Sequence, residues 1–187
     1  MEALSRLPVG VVILGGGGHG RDILHSLRAD GVPVAGVYDS RPDRATLGDT
    51  TDWRNDPRPF LVGVNDPQVR AELTRSHTGK PYNHGIWVHP DASIGPNVDL
   101  GEGTHVNAGA TITRSKISRF CTVSPGANIC GDVTVGSFCQ IGAGAVLCEF
   151  VWLNSDVVVG AGTVVPPYEH LWAGTWVGVP AECVETR

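Results

Sequence analysis

Near the start of the chain, five glycines surround one histidine in the segment Gly15-Gly-Gly-Gly-His-Gly20. Gly15, Gly17 and Gly20 have the spacing GxGxxG. Glycines at this spacing allow a tight turn, a close approach of the backbone to phosphate, and close packing of the next helix on the preceding strand. The amide groups at the start of such a helix attract anions. The segment therefore predicts a site for a phosphate-bearing ligand.

The residues around this turn predict the elements that must position it. An apolar run at residues 9–14 is typical of a buried strand, and residues 21–29 predict a helix that Gly31 ends. A second strand is predicted at residues 34–38. It is followed by Asp39, where dinucleotide-binding units place an acidic residue near a ribose or a base. The alternative is that Asp39 only caps a turn.

A third strand and a second helix complete this part of the chain. Residues 60–64 predict a strand, and Asp66 is expected to cap a helix that begins at Pro67. Val69 and Leu73 would form the apolar face of that helix. Alternating strands and helices imply a small parallel sheet with its ligand at the carboxyl ends of the strands.

The second half of the chain has a different pattern. An aliphatic residue recurs every six positions from Val88 to Leu171, with one irregularity between Ile112 and Ile117, which are five apart. A period of six fits neither a helix face nor a simple strand alternation. It predicts a β-solenoid in which each short strand points one aliphatic side chain into a narrow core.

Four of the five cysteines are nine residues apart, which raises the question of a metal site. A zinc site would need CxxC or CxxH pairs, and the sequence has none. Nine residues are one and a half repeats, so Cys121 and Cys139 fall on one side of the coil and Cys130 and Cys148 on another. A buried reduced cysteine packs as a small hydrophobe. We therefore expect a structural role for them.

The composition is that of an enzyme subunit in the cytoplasm. The net charge is −5, whereas nucleic-acid binding would need a clustered basic stripe. No apolar run reaches the length of a membrane span, and residues 9–14 are too short for a signal peptide. We expect a cytoplasmic protein that binds neither nucleic acid nor membrane.

From Val88 to about residue 180, the repeats resemble the left-handed parallel β-helix of the hexapeptide-repeat acyltransferases. For the glycine turn alone, the rival interpretation is a nicotinamide-dependent dehydrogenase. Such an enzyme needs further strands and a catalytic domain, for which the repeats leave no room.

A short glycine-turn αβ domain followed by a hexapeptide solenoid resembles the bacterial nucleotide-sugar acyltransferases. This group includes UDP-4-amino-sugar N-acetyltransferases and sialic-acid O-acetyltransferase-like proteins. Four segments of this chain resemble landmarks of the family. They are Gly-Gly-Gly-His-Gly at 16–20, Asn65-Asp66, Val88-His89-Pro90 and Val177-Gly-Val-Pro180. The resemblance implies a Rossmann-like nucleotide-sugar-binding domain at residues 1–86. It also implies a left-handed β-helix acyltransferase domain with a C-terminal tail at residues 87–187.

The same resemblance implies the ligands and the assembly. Family members bind a nucleotide-linked sugar on the N-terminal domain and acyl-CoA along the coil, as homotrimers with active sites between neighbouring subunits. For this chain it implies acetyl-CoA as co-substrate, a nucleotide-linked amino sugar as acceptor, and no metal.

Individual site residues also follow from the resemblance. The implied substrate-binding residues are Gly17, Gly18, His19, Asp39, Ser40 and Asn65. The first three would contact the phosphates and the sugar, the next two the base, and the last the neighbouring loop. Alternatively, His19 hydrogen-bonds its own loop. The pantetheine arm of CoA would pass backbone amides near Ala143 and Ala161, and a family histidine that contacts CoA falls on Thr122.

The family's catalytic base is missing from its expected place. The resembling enzymes carry a histidine followed by an acidic residue in the coil, and that histidine takes the proton from the attacking amine or hydroxyl. Here the segment reads Ile112-Thr-Arg-Ser-Lys-Ile117, with Thr113 or Arg114 at the place of the base. A guanidinium stays charged near neutral pH, so Arg114 cannot act as a base.

His105 is our favoured substitute base. It lies seventeen residues before Thr122, which is one coil of three repeats less the missing residue. Stacked coils are about 4.8 Å apart, so His105 should lie beside Thr122. The alternative is that His105 faces outward into solvent.

Three further possibilities stay open. The substrate or the leaving thiolate takes the proton while backbone amides hold the oxyanion. In that case Arg114 and Lys116 bind a phosphate or carboxylate, or they form an exposed basic turn. The second possibility is that the protein is a catalytically inactive nucleotide-sugar-binding trimer. The third is that it acylates a non-sugar acceptor. Our prediction is an acetyl-CoA-dependent N- or O-acetyltransferase, and the favoured reaction is N-acetylation of an amino group on a nucleotide-linked sugar.

Overall fold

The computed structural model of the chain describes residues 10–49, 52–75 and 85–186. The chain divides into two compact units, Met1–Trp87 and Val88–Arg187. The first unit contains the αβ elements, and the second contains the six-residue repeats. No helix among the described residues is both long and apolar enough to cross a bilayer.

The first unit is built on a three-stranded parallel sheet. Its elements are β1 (Val11–Leu14), α1 (Gly18–Ala29), β2 (Val34–Tyr38), β3 (Phe60–Val62) and α2 (Pro67–Arg75), with a 3-10 turn at Asp52–Asn55. The strand order is β2-β1-β3, and β1 pairs in parallel with both neighbours. The three carboxyl ends therefore meet at one edge of the sheet, where the glycine turn leaves β1.

These elements lie where the sequence predicts them, with shifts at their ends. β2 has the predicted bounds, and β3 ends earlier than predicted, at Val62. Val9 lies outside the described residues, and β1 begins at Val11. α1 begins earlier than predicted, at Gly18, because the amide of Arg21 already donates a helical hydrogen bond to the carbonyl of Gly17 at 3.0 Å.

The sheet is covered on both faces, which explains why β1 is apolar throughout. Side chains of successive residues in a strand point to opposite faces. Val11 and Ile13 pack with Ile23 and Leu27 of α1. Val12 and Leu14 pack in a second cluster on the other face, together with Trp53. All four β1 side chains are fully buried, so the strand cannot show an alternating pattern.

The buried face of α2 agrees only in part with the predicted one. Leu73 packs against the cluster of Val12 and Leu14, as predicted. Asp66 caps this helix as expected, because its Oδ1 accepts hydrogen bonds from the amides of Gln68 at 2.8 Å and Val69 at 3.1 Å. Val69, however, is 42% exposed. The buried positions are Pro67, Arg70, Ala71 and Thr74, which follow helical spacing. Two of these four side chains are polar, so an apolar pattern alone could not identify this face.

The second unit is a three-sided β-solenoid of five turns. Its strands are β4 (Trp87–Val88), β5 (Ser93–Ile94), β6 (Asp99–Leu100), β7 (His105–Val106), β8 (Thr111–Ile112), β9 (Lys116–Ile117), β10 (Thr122–Val123), β11 (Asn128–Ile129), β12 (Thr134–Val135), β13 (Gln140–Ile141), β14 (Val146–Leu147), β15 (Trp152–Leu153), β16 (Val157–Val159), β17 (Val164–Val165) and β18 (His170–Leu171). Every third strand joins the same parallel sheet. We call the sheets that begin with β4, β5 and β6 sheets 1, 2 and 3.

A hairpin follows the last turn of the solenoid. β19 (Gly174–Val177) extends sheet 1 beyond β16, and β20 (Glu182–Thr186) pairs with it in antiparallel orientation. The hairpin therefore covers the edge of sheet 1, as the exposed end of a repeat array requires.

The repeating aliphatic residues form the solenoid core, as predicted. From Val106 to Leu171, each one is at most 2% exposed. Val88, Ile94 and Leu100 of the first turn are only partly buried, because no earlier coil packs against them. The six-residue period therefore arises from one buried side chain per short strand.

At the shortened repeat, the side chain of Ser115 bonds to backbone groups of its own coil and of the next one. Its hydroxyl oxygen lies 2.8 Å from the carbonyl oxygens of both Thr113 and Cys130, and it accepts a hydrogen bond from the amide of Val133 at 3.0 Å. Ser115 is 2% exposed. This side chain thus replaces backbone contacts that the missing residue would otherwise make.

The cysteines form two columns on successive coils. Cys121 and Cys139 are fully buried, and each thiol lies 3.0 Å from a carbonyl oxygen of the next coil. Cys130 and Cys148 are partly buried, and all four are free thiols. This arrangement agrees with a structural role.

Candidate functional site

The glycine turn is held at the carboxyl edge of the small sheet by neighbouring backbone. The amide of Gly15 donates to the carbonyl of Tyr38 at 2.7 Å. An ideal Cβ on Gly20 would lie 1.8 Å from the carbonyl oxygen of Gly15. The helix therefore approaches the turn so closely that only glycine fits, which is the packing that the GxGxxG spacing predicts.

Asp39 ties the end of β2 to this turn. Its Oδ2 accepts a hydrogen bond from the amide of Gly16 at 2.5 Å, and its Oδ1 accepts one from the amide of Arg41 at 2.8 Å. The side chain is only 8% exposed. Both oxygens thus hold the backbone of the turn. Ser40, the next residue, is exposed at the same edge.

Asn65 reaches this edge from the third strand. It follows β3 and is exposed, directly before the helix cap Asp66. Parallel strands end at the same edge, so the predicted residues Gly17, Ser40 and Asn65 all follow carboxyl ends of the sheet. The carboxyl edge of this unit is therefore the part of it that can take a ligand.

His19 lies in the first turn of α1 and is partly buried. Burial and, to a smaller extent, the positive charge of Arg70 lower the pKa of His19 from 6.5 to about 4. Its imidazole is therefore neutral at pH 7, so that one ring nitrogen can donate a hydrogen bond and the other can accept one.

We expect the free energy of unfolding to fall as the pH drops from 6.5 toward 4. Unfolded His19 takes up a proton at its ordinary pKa, whereas folded His19 stays neutral down to a pKa of about 4, so added protons favour the unfolded state. The full shift corresponds to roughly 3 kcal/mol. Chemical denaturation at pH 7 and at about pH 4.5 measures this loss, and His19→Gln is expected to lose less than wild type. Equal losses in both proteins would show that another group is responsible.

A cavity of about 380 Å³ opens beside the glycine turn in the first unit. It is lined by Gly16, Gly20, Arg21, Leu24, Val37, Asp43, Arg44 and Thr46. None of the predicted substrate-binding residues lines it, although two glycines of the same turn do. Sequence reasoning missed Arg21 and Arg44 because single arginines in a helix start and a polar loop belong to no motif.

On the solenoid, His105 lies beside Thr122 as predicted. The two residues are register partners in sheet 1, and the amide of His105 donates to the carbonyl of Cys121 at 2.9 Å. Both side chains are 1% exposed. The alternative of a solvent-facing His105 is therefore wrong, because the ring is buried.

Ala143 and Ala161 lie on the corner between sheets 1 and 2, on successive coils. Both are exposed. The amides of the next residues, Gly144 and Gly162, donate to the coil before, at 3.0 and 2.9 Å. Among the described residues, the amides of Ala143 and Ala161 donate no hydrogen bond. This corner thus offers small side chains and two free backbone donors to a ligand.

Arg114 is held by an ion pair at the shortened repeat. Its Nε donates to Asp132 Oδ1 at 3.0 Å and its Nη2 to Oδ2 at 2.5 Å. The hydrogen bonds and charge of Asp132 raise the pKa of Arg114, and those of Arg114 lower the pKa of Asp132. Arg114 has a left-handed backbone, with φ 40°, and its side chain is 58% exposed. Its charge is therefore already balanced by a carboxylate.

One chain does not bring all the predicted coil residues together. Arg114 lies on the corner between sheets 2 and 3, whereas Ala143 and Ala161 lie on the corner between sheets 1 and 2. The width of sheet 2 separates these corners. A single ligand site that uses both would need a second copy of the solenoid.

The other described histidines of the solenoid have local roles. His89 Nδ1 accepts a hydrogen bond from the amide of Asp91 at 3.0 Å, and His170 Nε2 lies 2.9 Å from Asn154 Oδ1. In the ranges that the structure describes, no three His, Cys, Asp or Glu side chains are placed to hold a metal ion.

Solved structures share this architecture over nearly the whole chain. PerB from Caulobacter crescentus, in complex with CoA and GDP-perosamine, is 30% identical, with a TM-score of 0.77 over 95% of this chain and 98% of that one. The acetyltransferase domain of PglB from Neisseria gonorrhoeae is 23% identical, with a TM-score of 0.76 over 94% of this chain and 100% of that one. WeeI from Acinetobacter baumannii is 16% identical, with a TM-score of 0.65 over 94% of this chain and 99% of that one.

The latter two likenesses concern the fold alone, whereas the likeness to PerB extends to sequence. No protein-family model and no curated protein matches the chain. PerB shares the αβ unit and the solenoid in one alignment of nearly full length. The chain therefore belongs to the hexapeptide-repeat, left-handed β-helix nucleotide-sugar acyltransferases, and it is an acetyl-CoA-dependent acyltransferase.

Proposed function

We propose that this enzyme transfers the acetyl group of acetyl-CoA to an amino group of a nucleotide-linked sugar. The observation that carries the proposal is the likeness to PerB, whose structure holds both CoA and GDP-perosamine. A variant of perosamine N-acetyltransferase from the same organism, with one histidine replaced by asparagine, also holds both ligands and is 31% identical to this chain.

The first unit would bind the nucleotide-linked sugar. We propose residues 1–86 as a Rossmann-like binding domain, supported by the parallel sheet and the close glycine turn at its carboxyl edge. Gly17, Gly18 and His19 would contact the phosphates and the sugar. Asp39 would act through the turn that it holds, with Ser40 and Asn65 exposed nearby.

Residues 87–187 would form the acyltransferase domain, with acetyl-CoA along the corner of Ala143 and Ala161. Two free amides and small side chains suit the carbonyl groups and the narrow chain of pantetheine. We propose a homotrimer in the cytoplasm, in which the corner that carries Arg114 of one subunit faces this corner of the next. Separation of the two corners within one chain supports that assembly.

The reaction is an acyl transfer in which one proton moves from the attacking amine to the departing thiolate. The lone pair of the sugar amine attacks the thioester carbonyl carbon, the C–S bond breaks, and the nitrogen loses one proton. We propose that the imidazole of His105 takes this proton and passes it to the thiolate, which leaves as CoA thiol. Because His105 is 1% exposed, transfer from the amine to the departing thiolate without a protein base is the competing route.

A large side chain on the proposed CoA corner should block the donor. Ala143→Trp is expected to weaken acetyl-CoA binding at least about ten-fold, because an indole would fill the path of the pantetheine arm. Calorimetric titration of acetyl-CoA measures the loss. The residue is exposed, so the unfolding curve should not change.

Ala143→Ser is the matched control for this variant. A steric block predicts near-normal acetyl-CoA affinity in Ala143→Ser and lost affinity in Ala143→Trp. Nucleotide-sugar binding should be unchanged in both variants. Normal acetyl-CoA affinity in Ala143→Trp would show that the donor lies elsewhere on the coil.

The proposed acceptor is tested by mass spectrometry of the product. The enzyme is incubated with acetyl-CoA and pairs of nucleotide sugars that differ only in carrying an amine or a hydroxyl at one carbon. We expect acetylation of the amino member alone. Acetylation of the hydroxyl member, or of a non-sugar amine in preference to both, would replace the proposed acceptor with an O-linked or a non-sugar one.

A further inference from the structure

The cavity of the first unit has the size of one part of a nucleotide sugar. Its volume of about 380 Å³ lies at the small end of ligand sites. Leu24 of α1 and Val37 of β2 supply apolar surface, and Arg21, Asp43 and Arg44 supply charged groups. A cavity lined by both apolar and charged side chains suits a heterocycle that is attached to an anionic group.

Arg44 lies directly against the glycine turn. An ideal Cβ on Gly16 would lie 3.0 Å from Arg44 Cβ and 3.1 Å from its carbonyl oxygen. An ideal Cβ on Gly17 would lie 3.8 Å from Arg44 Nη1. The guanidinium therefore lies beside Gly17, on the approach to the first turn of α1. The absence of side chains at both glycines leaves it room.

The charge of Arg44 is not balanced by the part of the chain that the structure describes. Other arginines have carboxylate partners: Arg41 pairs with Asp43 at 3.4 Å and Arg58 with Asp56 at 2.5 Å. Among the described residues, the guanidinium of Arg44 makes no ion pair or hydrogen bond. This cation lines a cavity in a protein whose net charge is −5.

The surroundings of the turn add positive potential. Arg21, in the first turn of α1, lines the same cavity. Arg70 is close enough to His19 for its charge to act on that ring. The nearest buried acid, Asp39, already accepts backbone hydrogen bonds with both oxygens. Two guanidinium groups, those of Arg21 and Arg44, therefore line the cavity beside the start of α1, where the backbone amides of a helix attract anions. The carboxylate that lines the cavity, Asp43, pairs with Arg41.

We propose that Arg44 binds the diphosphate of the nucleotide-linked substrate against the glycine turn, while the cavity beside it holds the nucleoside. This inference rests on the proposed function, which it deepens by naming a residue that binds the diphosphate. A guanidinium can donate two parallel hydrogen bonds to phosphate oxygens. Arg44 and the amides at the start of α1 would then contact the diphosphate from opposite sides.

The test is calorimetric titration of the full-length protein with UDP, GDP, dTDP and inorganic pyrophosphate. Arg44→Gln is expected to weaken the binding of the tightest-binding nucleoside diphosphate at least about ten-fold, and to make that binding less dependent on salt concentration. Arg44→Lys should recover part of the affinity, because it keeps the charge and loses the paired geometry. Acetyl-CoA binding should stay unchanged in both variants.

Arg28→Gln is the matched control. Arg28 is exposed in the last turn of α1, and its replacement removes the same charge from the same unit. Equal loss of affinity in Arg28→Gln and Arg44→Gln would reduce the effect to net charge and overturn the proposal. Normal affinity in Arg44→Gln would overturn it while leaving the proposed function intact. If wild type binds none of the four probes, both the inference and the nucleotide-linked acceptor are wrong.

Discussion

Replacement of His105 by asparagine is expected to lower kcat about 10²- to 10⁴-fold, the range that a positioned general base contributes. The affinity for acetyl-CoA and for the nucleotide sugar should stay near normal, because a base acts on the proton and not on ground-state binding. The measurement is steady-state kinetics with each substrate varied while the other is saturating. The loss should be in kcat, with the KM of both substrates near the wild-type value.

The control for this variant is His25→Asn, which replaces an exposed histidine of α1. Because His105 is buried in sheet 1, circular dichroism and thermal unfolding of His105→Asn must first show a folded protein. A folded His105→Asn enzyme with wild-type kcat would contradict the role of His105. It would instead assign proton acceptance to the substrate or the departing thiolate.

Gly20→Ala is expected to destabilise the first unit by about 3 kcal/mol or more, because overpacking against backbone cannot be relieved by a side-chain rotation. The new Cβ would lie 1.8 Å from the oxygen and 2.9 Å from the carbon of the Gly15 carbonyl. Either the helix or the glycine turn must move. Chemical denaturation measures the lost stability. Titration with a nucleoside diphosphate measures how far the altered turn weakens binding.

Gly18→Ala provides a matched comparison two residues earlier. A Cβ at Gly18 would meet nothing within 4 Å, and alanine favours a helix over glycine. This variant should be neutral or slightly more stable than wild type. Similar stability of Gly18→Ala and Gly20→Ala would show that the helix does not pack on the turn as closely as the geometry implies.

The spacing of residues predicted most of the backbone. The six-residue period identified the solenoid because every repeat buries one aliphatic side chain, and a count of seventeen residues placed His105 beside Thr122. The glycine spacing identified a turn whose closest contact, at Gly20, leaves no space for a Cβ. These features depend on local geometry repeated along the chain, which a sequence displays directly.

Features that depend on particular tertiary contacts could not be predicted in the same way. The buried face of α2 includes Arg70, and a charged residue gives no sign of burial in an apolar pattern. The hydroxyl of Ser115 closes the shortened repeat through contacts with another coil. Arg44 meets the glycine turn only because the loop after β2 folds back over it.

The burial of His105 shows the same limit at the candidate catalytic site. Alternation along β7 places its side chain opposite the core residue Val106, on the outer face of sheet 1. That position predicts exposure, and the ring is nevertheless 1% exposed. Periodicity specifies which face of a strand a residue occupies, whereas its accessibility depends on what covers that face.

The most direct test of the central claim is the release of free thiol from acetyl-CoA by the wild-type enzyme. It is measured with and without a panel of nucleotide-linked amino sugars. We predict release only when an amino sugar is present, with one thiol formed for each N-acetylated product. No release with any amino sugar, despite calorimetric binding of both acetyl-CoA and a nucleotide sugar, would contradict acetyl transfer to a nucleotide-linked amine.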